Sequence, residues 1–313
     1  MSATNLQDSL ATSVAGLTFQ NPVLLAAGTA AYGRELQSVM SLDALGGFVT
    51  KAVSLEPRSG AAAPRVAEFD GGMINAVGLA NPGVEAVRRD ELPWLARELR
   101  QARVFVNVVG RVVEDFGEVV SRLDDAEGFH AYELNVSCPN TRAGGLEFGA
   151  DSESLRTVVS RARAATRRLI FVKLSPTLPD VGDMARHAVD AGADGITVVN
   201  TIPGLVVDLD TRRGALGFGT GGVSGPGLRP VGVLATWRVR RAVDVPIIGI
   251  GGVSSAADAL QYLIAGASLV ALGTAALADP RTPERVIRDL RRWCEARGVR
   301  RLADLVGTLE LQS

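Results

Sequence analysis

Short runs of apolar and β-branched residues recur along the chain, and segments with a helical spacing of apolar positions separate them. A short, continuous apolar run is typical of a strand that is buried on both faces in a parallel sheet. Eight such strands are predicted, at residues 23–27, 47–50, 104–108, 131–134, 170–174, 195–199, 247–250 and 269–272.

The intervening segments favour helices. Residues 152–166 and 256–265 show the clearest amphipathic period, and Gly192 and Gly266 stand where a helix must end before the next strand. Eight strands in alternation with helices predict an α/β protein, a single (β/α)8 TIM barrel that spans residues 1–313 as one domain. An open, doubly wound sheet is the structural alternative.

Two connections are too long to be simple turns, at residues 51–82 and 200–229. Both follow a predicted strand, and barrel enzymes build their active sites from the loops at strand ends. We therefore expect long active-site loops that act as lids and binding segments.

Composition narrows the function classes. The formal net charge is −1, which gives no general attraction to nucleic acid or to an anionic membrane. No signal peptide or membrane-spanning run is evident, so a cytoplasmic location is expected. Two cysteines and two histidines make a disulfide framework or a zinc site unexpected, so no metal is predicted.

The residues after the fourth predicted strand form the sharpest motif, Asn-Val-Ser-Cys-Pro-Asn at 135–140. A strand end is where barrel enzymes place catalytic groups, and Asn135 and Asn140 can offer both donors and acceptors to a ligand. Cys138 is therefore a candidate catalytic residue, although a buried structural cysteine is the common alternative. Cys294, in a polar helix, is predicted to be structural.

Two lysines lie at or near strand ends, Lys51 and Lys173. A lysine within an apolar strand is costly unless an anion or a hydrogen bond compensates for its burial. Both are predicted to face a substrate or cofactor, and a structural salt bridge is the alternative.

Glycines open the last two connections, at Gly251-Gly252 and at Gly273-Thr274. Backbone N–H groups there can approach an anion, so these turns predict a phosphate site, with ordinary tight turns as the alternative. The Gly-rich segment 217–222 fits a dinucleotide motif but lacks its strand and helix, and it is predicted to be a flexible loop. His130 and His187 are predicted to serve packing or the surface.

Taken together, the motifs resemble the dihydroorotate dehydrogenases of the soluble, cysteine-base class, most closely the catalytic subunit of the NAD-linked branch. The similarity covers residues 17–279, and its motifs lie at residues 50–52, 75–83, 135–140, 172–176, 200–201, 221–225, 251–252 and 273–274. Residues 91–95 and 144–149 resemble the NAD-linked branch in particular, and the fumarate-using branch is less similar.

The resemblance implies FMN as cofactor and dihydroorotate as substrate, oxidised to orotate in pyrimidine biosynthesis. It assigns the flavin to Ala27, Lys51, Ala52, Asn107, Asn135, Lys173, Val199, Gly225, Gly251, Gly252, Gly273 and Thr274. It assigns the pyrimidine to Lys51, Asn75, Ala76, Val77, Gly78, Leu79, Asn135, Asn140, Asn200 and Thr201. The family often has serine where Ala27 stands, so one flavin contact could be missing.

The resemblance also implies a mechanism and partners. Cys138 would take the C5 proton of dihydroorotate while flavin N5 takes the hydride, and Lys173 would stabilise the charge that develops on the ring. A homodimeric core is implied, with an electron-transfer subunit that carries FAD and an iron–sulfur cluster.

Three alternatives remain at this point. One is a dihydropyrimidine dehydrogenase, in which histidine tends to occupy the Asn140 position. Another is a tRNA-dihydrouridine synthase, which would need a basic RNA-binding surface. The third is a protein that binds flavin or phosphate without catalysis, which an intact Cys138 argues against.

Overall fold

The protein is described by a computed structural model over residues 9–137 and 147–311. Eight parallel strands form a closed barrel in which each strand pairs with the next along the chain, and the last pairs with the first. These strands are β3 (Val23–Leu25), β4 (Gly47–Val49), β7 (Arg103–Val108), β8 (Ala131–Asn135), β9 (Leu169–Leu174), β10 (Gly195–Val198), β15 (Ile247–Ile250) and β16 (Leu269–Leu272).

All eight predicted strands are confirmed, with ends that differ by at most two residues. Parallel barrel strands are buried on both faces, so their sequences are apolar throughout and stand out from the helices between them. Because the first and last strands pair with each other, the sheet is a closed barrel and the open-sheet alternative is wrong.

Helices follow most barrel strands. They are α1 (Val84–Ala86), a π-helical turn (Val87–Glu91) leading into α2 (Leu92–Glu98), α3 (Val113–Leu123), α4 (Ser152–Ala165), α5 (Val181–Asp190), α6 (Arg229–Ala242), α7 (Ala256–Ala265), α8 (Thr274–Ala278) and α9 (Thr282–Arg297). The predicted strict alternation is wrong in the first interval, where β3 and β4 are joined by turns and a 3-10 helix, Leu42–Ala44. Gly28, Ala31 and Gly33 have positive φ there, which is incompatible with a continuous right-handed helix.

The two long connections form a four-stranded antiparallel sheet, which we call the lid sheet. It contains β5 (Val66–Phe69) and β6 (Gly72–Asn75) from the first connection, and β11 (Ile202–Gly204) and β14 (Gly221–Ser224) from the second. A small hairpin, β12 (Val207–Asp208) and β13 (Arg213–Gly214), completes the second connection. The predicted flexible loop at 217–222 is therefore wrong in part, because its last two residues begin β14.

The hydrophobic core has two parts. One fills the space between the barrel and its helices, and the other fills the barrel interior. A hairpin of β1 (Thr12–Val14) and β2 (Leu17–Phe19) contributes Phe19 to the interior, where it stacks on Phe105, and Phe105 meets Phe171 edge to face at 5.2 Å. Within the described ranges, no helix combines the length and apolar character needed to cross a membrane.

Candidate active site

The lid sheet crosses the carboxyl end of the barrel. Its two halves leave the barrel after β4 and after β10, which lie four places apart in the ring of eight strands and are therefore opposite each other. Strand β6 pairs with β14, so the two halves join over the barrel mouth. Because barrel enzymes place their catalytic groups at this end, the candidate site lies between the lid sheet and the strand ends.

Lys51 and Lys173 are the only lysines in the chain, and both belong to this site. Lys51 lies two residues past the end of β4, and its backbone N–H donates to the carbonyl of Ala31 at 2.8 Å. Lys173 is buried in β9, in register with Asn135 on β8 and Thr197 on β10. Neither ammonium forms an ion pair with a carboxylate in the described part of the chain, so the salt-bridge alternative finds no support there. Two unpaired cations at one barrel end favour an anionic ligand.

Amide side chains form a connected set that begins at Asn135, the register neighbour of Lys173. Asn200 Nδ2 donates to Asn135 Oδ1 at 3.3 Å, and Asn200 Oδ1 accepts from the Thr201 N–H at 2.9 Å. Asn75, at the end of β6, donates to the Gly222 carbonyl at 3.2 Å, and Gly222 packs against the Thr201 side chain. The structure thus links four of the predicted pyrimidine-binding residues through one chain of contacts.

Residues 76–79 follow Asn75 and form a tight turn that returns the chain from the lid sheet. Gly78 and Leu79 have positive φ, and the Ala61 N–H donates to the Val77 carbonyl at 3.1 Å. Buried Asn81 fixes this turn, since its amide donates to the Leu79 carbonyl and to Ser54 Oγ, each at 2.8 Å. Asn81 was not among the predicted site residues, although it falls within the quoted 75–83 motif.

The predicted phosphate residues also come together. Thr274 Oγ1 donates to Ser224 Oγ at 2.8 Å, next to Gly225, and Gly252 lies against the Gly225 carbonyl. A Cβ on Gly273 would meet no atom nearer than 3.8 Å, so open space lies beside this residue. The backbone N–H groups of Gly252, Gly273 and Thr274 have no acceptor among the described residues. These donors and the space beside them fit a phosphate.

Helix α7 begins next to this cluster, and a reciprocal cap holds its N-terminus. Asp258 Oδ2 accepts from the backbone of Ser254 and Ser255, each at 3.0 Å, and Ser255 Oγ accepts from the Asp258 N–H at 3.2 Å. Arg229 pairs with the same carboxylate. The cap uses none of the glycine amides before the helix, so these stay available as donors.

A buried polar layer lies in the barrel between the lysines and the aromatic interior. Asn107 and Glu133 are each 1% exposed, and Asn107 Nδ2 donates to Glu133 Oε1 at 2.8 Å. Asn107 Oδ1 and Thr197 Oγ1 are buried without a hydrogen-bond partner among the described residues. Together with the two lysines and the glycine-lined space, these buried acceptors fit a flavin, which carries ring N–H and carbonyl groups.

Glu133 was missed by the sequence analysis. The signal that identified Lys173, a charge within an apolar strand, is equally present in the segment Tyr132-Glu133-Leu134.

The remaining predicted residues fall into several groups. Ala27, Ala52 and Val199 each lie within three residues of the end of a barrel strand, at the same end as the lysines. Cys138 and Asn140 lie outside the described residues, so their roles stay predictions. Cys294 is buried in α9, as predicted for a structural cysteine. His130 contacts Arg103 and the Val104 N–H, and His187 contacts Arg156, in agreement with structural roles.

Comparison with known proteins settles the family. The family model described as dihydroorotate dehydrogenase matches residues 9–293. The chain belongs to the dihydroorotate dehydrogenase family. This family is flavin-dependent, which agrees with the donors and acceptors at the barrel mouth.

Relatives in the family are similar over nearly their whole length. The catalytic subunit of a dihydroorotate dehydrogenase B (NAD(+)) from Pelobacter propionicus is 44% identical over 97% of this chain and 100% of its own. The corresponding catalytic subunit from Desulforudis audaxviator is 44% identical over 95% of this chain and 96% of its own. A Solibacter usitatus protein with the provisional name dihydroorotate dehydrogenase A (fumarate) is 48% identical over 96% and 98%. The similarity to NAD-linked subunits is confirmed, but the expectation that the fumarate branch is less similar is not supported.

The fold is also that of a solved family member. The DHODH of Eimeria tenella, crystallised in complex with ferulenol, superposes with a TM-score of 0.83 at 24% identity, covering 98% of this chain and 90% of that one. At this identity the match supports the barrel fold alone.

Proposed function

We propose that this protein is an FMN-dependent dihydroorotate dehydrogenase, which oxidises dihydroorotate to orotate in pyrimidine biosynthesis. The observation that carries the proposal is that two lysines, Asn135 and Asn200 lie at the barrel end that the lid sheet crosses, with Asn75 at the end of β6 in that sheet. The family match supports it and does not favour a dihydropyrimidine dehydrogenase, a tRNA-dihydrouridine synthase or a non-catalytic binding protein.

The substrate is complementary to this set of groups. Dihydroorotate carries a carboxylate and a cyclic imide, so it needs one cation and several amide partners. Lys51, the more exposed of the two lysines, is the cation for the carboxylate. Asn75, Asn135, Asn140 and Asn200, with Thr201 and the turn at 76–79, bind the imide edge.

The cofactor is held at two ends. Asn107, Asn135 and Lys173 bind the ring, together with Ala27, Lys51, Ala52 and Val199, while the amides of Gly225, Gly251, Gly252, Gly273 and Thr274 bind the phosphate. When bound, FMN supplies a two-electron acceptor for the hydride from substrate C6. Buried Lys173 offsets negative charge at the ring, and its burial strengthens this effect because water does not screen it.

Cys138 is the general base in this scheme and removes the proton from substrate C5. The thiolate is the active form, and an unperturbed thiol has a pKa of about 8.5, so the rate should rise towards alkaline pH. The lid sheet excludes water from the reacting atoms.

The electron acceptor is proposed from the relatives' names. Because relatives are named as the catalytic subunit of an NAD(+)-linked enzyme, we propose a homodimeric core that works with an electron-transfer subunit carrying FAD and an iron–sulfur cluster. This chain has two cysteines, too few to hold a cluster itself. The cytoplasm is the proposed location.

Substitutions of the two cysteines, one at a time, test whether Cys138 is the general base. Replacing Cys138 with serine should slow flavin reduction by dihydroorotate about 10²–10⁴-fold, because the general base is weakened. FMN content should stay at the wild-type level. The matched control is Cys294→Ser, which removes the other thiol and should leave the rate of reduction unchanged. A Cys138→Ser enzyme that is reduced at the wild-type rate at neutral pH contradicts the assignment.

A further inference from the structure

Glu133 is a buried carboxylate to which the proposed mechanism gives no role. It lies in the middle of β8 between Tyr132 and Leu134, and it is 1% exposed. Among the described side chains, only Asn107 forms a hydrogen bond with Glu133, donating from Nδ2 at 2.8 Å. Glu133 forms no ion pair in the described ranges. Burying a carboxylate with so little compensation costs stability, so a structural purpose alone does not account for it.

The register places Glu133 one layer below the proposed flavin site. It pairs with Asn107 on β7 and with Phe171 on β9, whereas Asn135, two residues further on, pairs with Lys173. Residues two apart on a strand point to the same face, so Glu133 shares the barrel interior with Asn135 and Lys173. It stands between the aromatic interior and the groups proposed to bind the ring.

The contact with Glu133 decides which way the Asn107 amide points. An ionised carboxylate only accepts hydrogen bonds, so Asn107 must turn its NH₂ group towards it. The amide oxygen then points the other way, and Asn107 Oδ1 is buried with no donor among the described residues. A ring N–H of the flavin is the kind of donor that would satisfy it.

We propose that Glu133 is a positioning residue of the flavin site. It holds Asn107 with its carbonyl ready to accept from the flavin ring, and it sets a fixed negative charge beneath that ring. The inference rests on the proposed FMN binding. Two consequences follow, one for flavin affinity through Asn107 and one for the flavin reduction potential through the charge.

The first measurement is FMN affinity, by titration of the apoprotein. In Glu133→Gln the side chain can donate as well as accept, so Asn107 is free to turn its NH₂ towards the ring. FMN binding should weaken roughly three- to tenfold, the range that one hydrogen bond supplies. In an Asn107→Ala background the same substitution should have no further effect on affinity, because Glu133 acts through that amide.

The second measurement is the reduction potential of the bound flavin, which a merely structural residue would not move. Removing a buried negative charge favours the reduced ring, so Glu133→Gln should raise the potential. A tenfold change in the two-electron equilibrium corresponds to about 30 mV. Glu133→Asp keeps the negative charge but has a shorter side chain, which no longer reaches Asn107. The flavin reduction potential of this variant should therefore stay near the wild-type value, while its FMN affinity falls.

The outcomes separate the two proposals. Wild-type apoprotein that does not bind FMN overturns the proposed function itself. Wild-type protein that binds FMN, together with a Glu133→Gln variant of unchanged affinity and potential, overturns the role of Glu133 alone, whatever happens to its melting temperature. If Glu133→Gln does not fold, unchanged FMN affinity in Glu133→Asp is the overturning result.

Discussion

The two lysines of this chain have different surroundings, and this difference separates their proposed tasks. Lys51 follows a strand end and is partly exposed beside the lid sheet, whereas Lys173 is buried within β9 among the ring-binding groups. In the proposed function, Lys51 is therefore the cation for the substrate carboxylate that arrives from solvent, and Lys173 is the cation for the flavin ring.

This arrangement predicts opposite effects for the two alanine substitutions. Lys51→Ala should weaken orotate binding more than FMN binding, because it removes the cation paired with the carboxylate. Lys173→Ala should weaken FMN binding more than orotate binding. Both constants are measurable on purified protein, FMN by apoprotein titration and orotate by the spectral change of the bound flavin. Unchanged orotate affinity in Lys51→Ala would show that another group holds the carboxylate.

Among the structural elements, the glycine turns after β15 and β16 differ in how much room they have. Gly251 has a positive φ, and a Cβ there would lie 3.2 Å from Tyr262 Oη, whose hydroxyl donates to the Gly251 carbonyl at 2.6 Å. Gly273 is unobstructed by protein atoms. A side chain added at Gly251 should therefore destabilise the fold as well as obstruct the phosphate site, whereas one added at Gly273 should obstruct the phosphate site alone.

We expect Gly251→Val to yield protein that is depleted of flavin and less stable, since valine is strained at positive φ and blocks the phosphate. Gly273→Ala should lose FMN affinity while the apoprotein keeps its melting temperature, because its methyl group occupies only the proposed phosphate space. The measurements are flavin content per chain and thermal unfolding of the apoprotein. Full FMN occupancy in both variants would place the phosphate elsewhere.

The elements of the barrel could be predicted from sequence because burial on both faces makes each strand a continuous apolar run. The lid sheet could not, since its strands are short, rich in glycine and paired across more than a hundred residues, as Asn75 with Gly222 shows. The lysines and asparagines of the site were predictable because they stand at strand ends. The capping of α7 by Asp258 and the Asn107–Glu133 pair depend on contacts between elements, which spacing along the chain does not reveal.

The stability of the whole molecule should depend on pH through His130, which lies at the start of β8 where its Nδ1 accepts from the Val104 N–H at 3.1 Å. Burial, with the nearby charges of Arg103 and Arg168, lowers the pKa of His130 to about 4. The unfolded chain, with a histidine pKa of about 6.5, takes up the proton first as the pH falls. The folded state is therefore fully favoured above about pH 6.5 and loses stability from there down to about pH 4.

His130→Asn should flatten this part of the profile, because an amide can accept from Val104 without titrating. Thermal unfolding at several pH values between 4 and 7 measures the effect, compared with His187→Asn, which removes the other histidine. A variant whose melting temperature falls with acid as steeply as that of wild type would assign the dependence to other groups.

One absorption spectrum tests most directly whether this molecule is a flavin enzyme that oxidises dihydroorotate. Purified protein reconstituted with FMN is kept free of oxygen, and its visible flavin absorption is recorded before and after dihydroorotate is added. Our account predicts that the absorption bands bleach and that orotate appears in an amount equal to the flavin reduced. Protein that binds FMN but keeps its absorption unchanged with excess dihydroorotate would contradict the account.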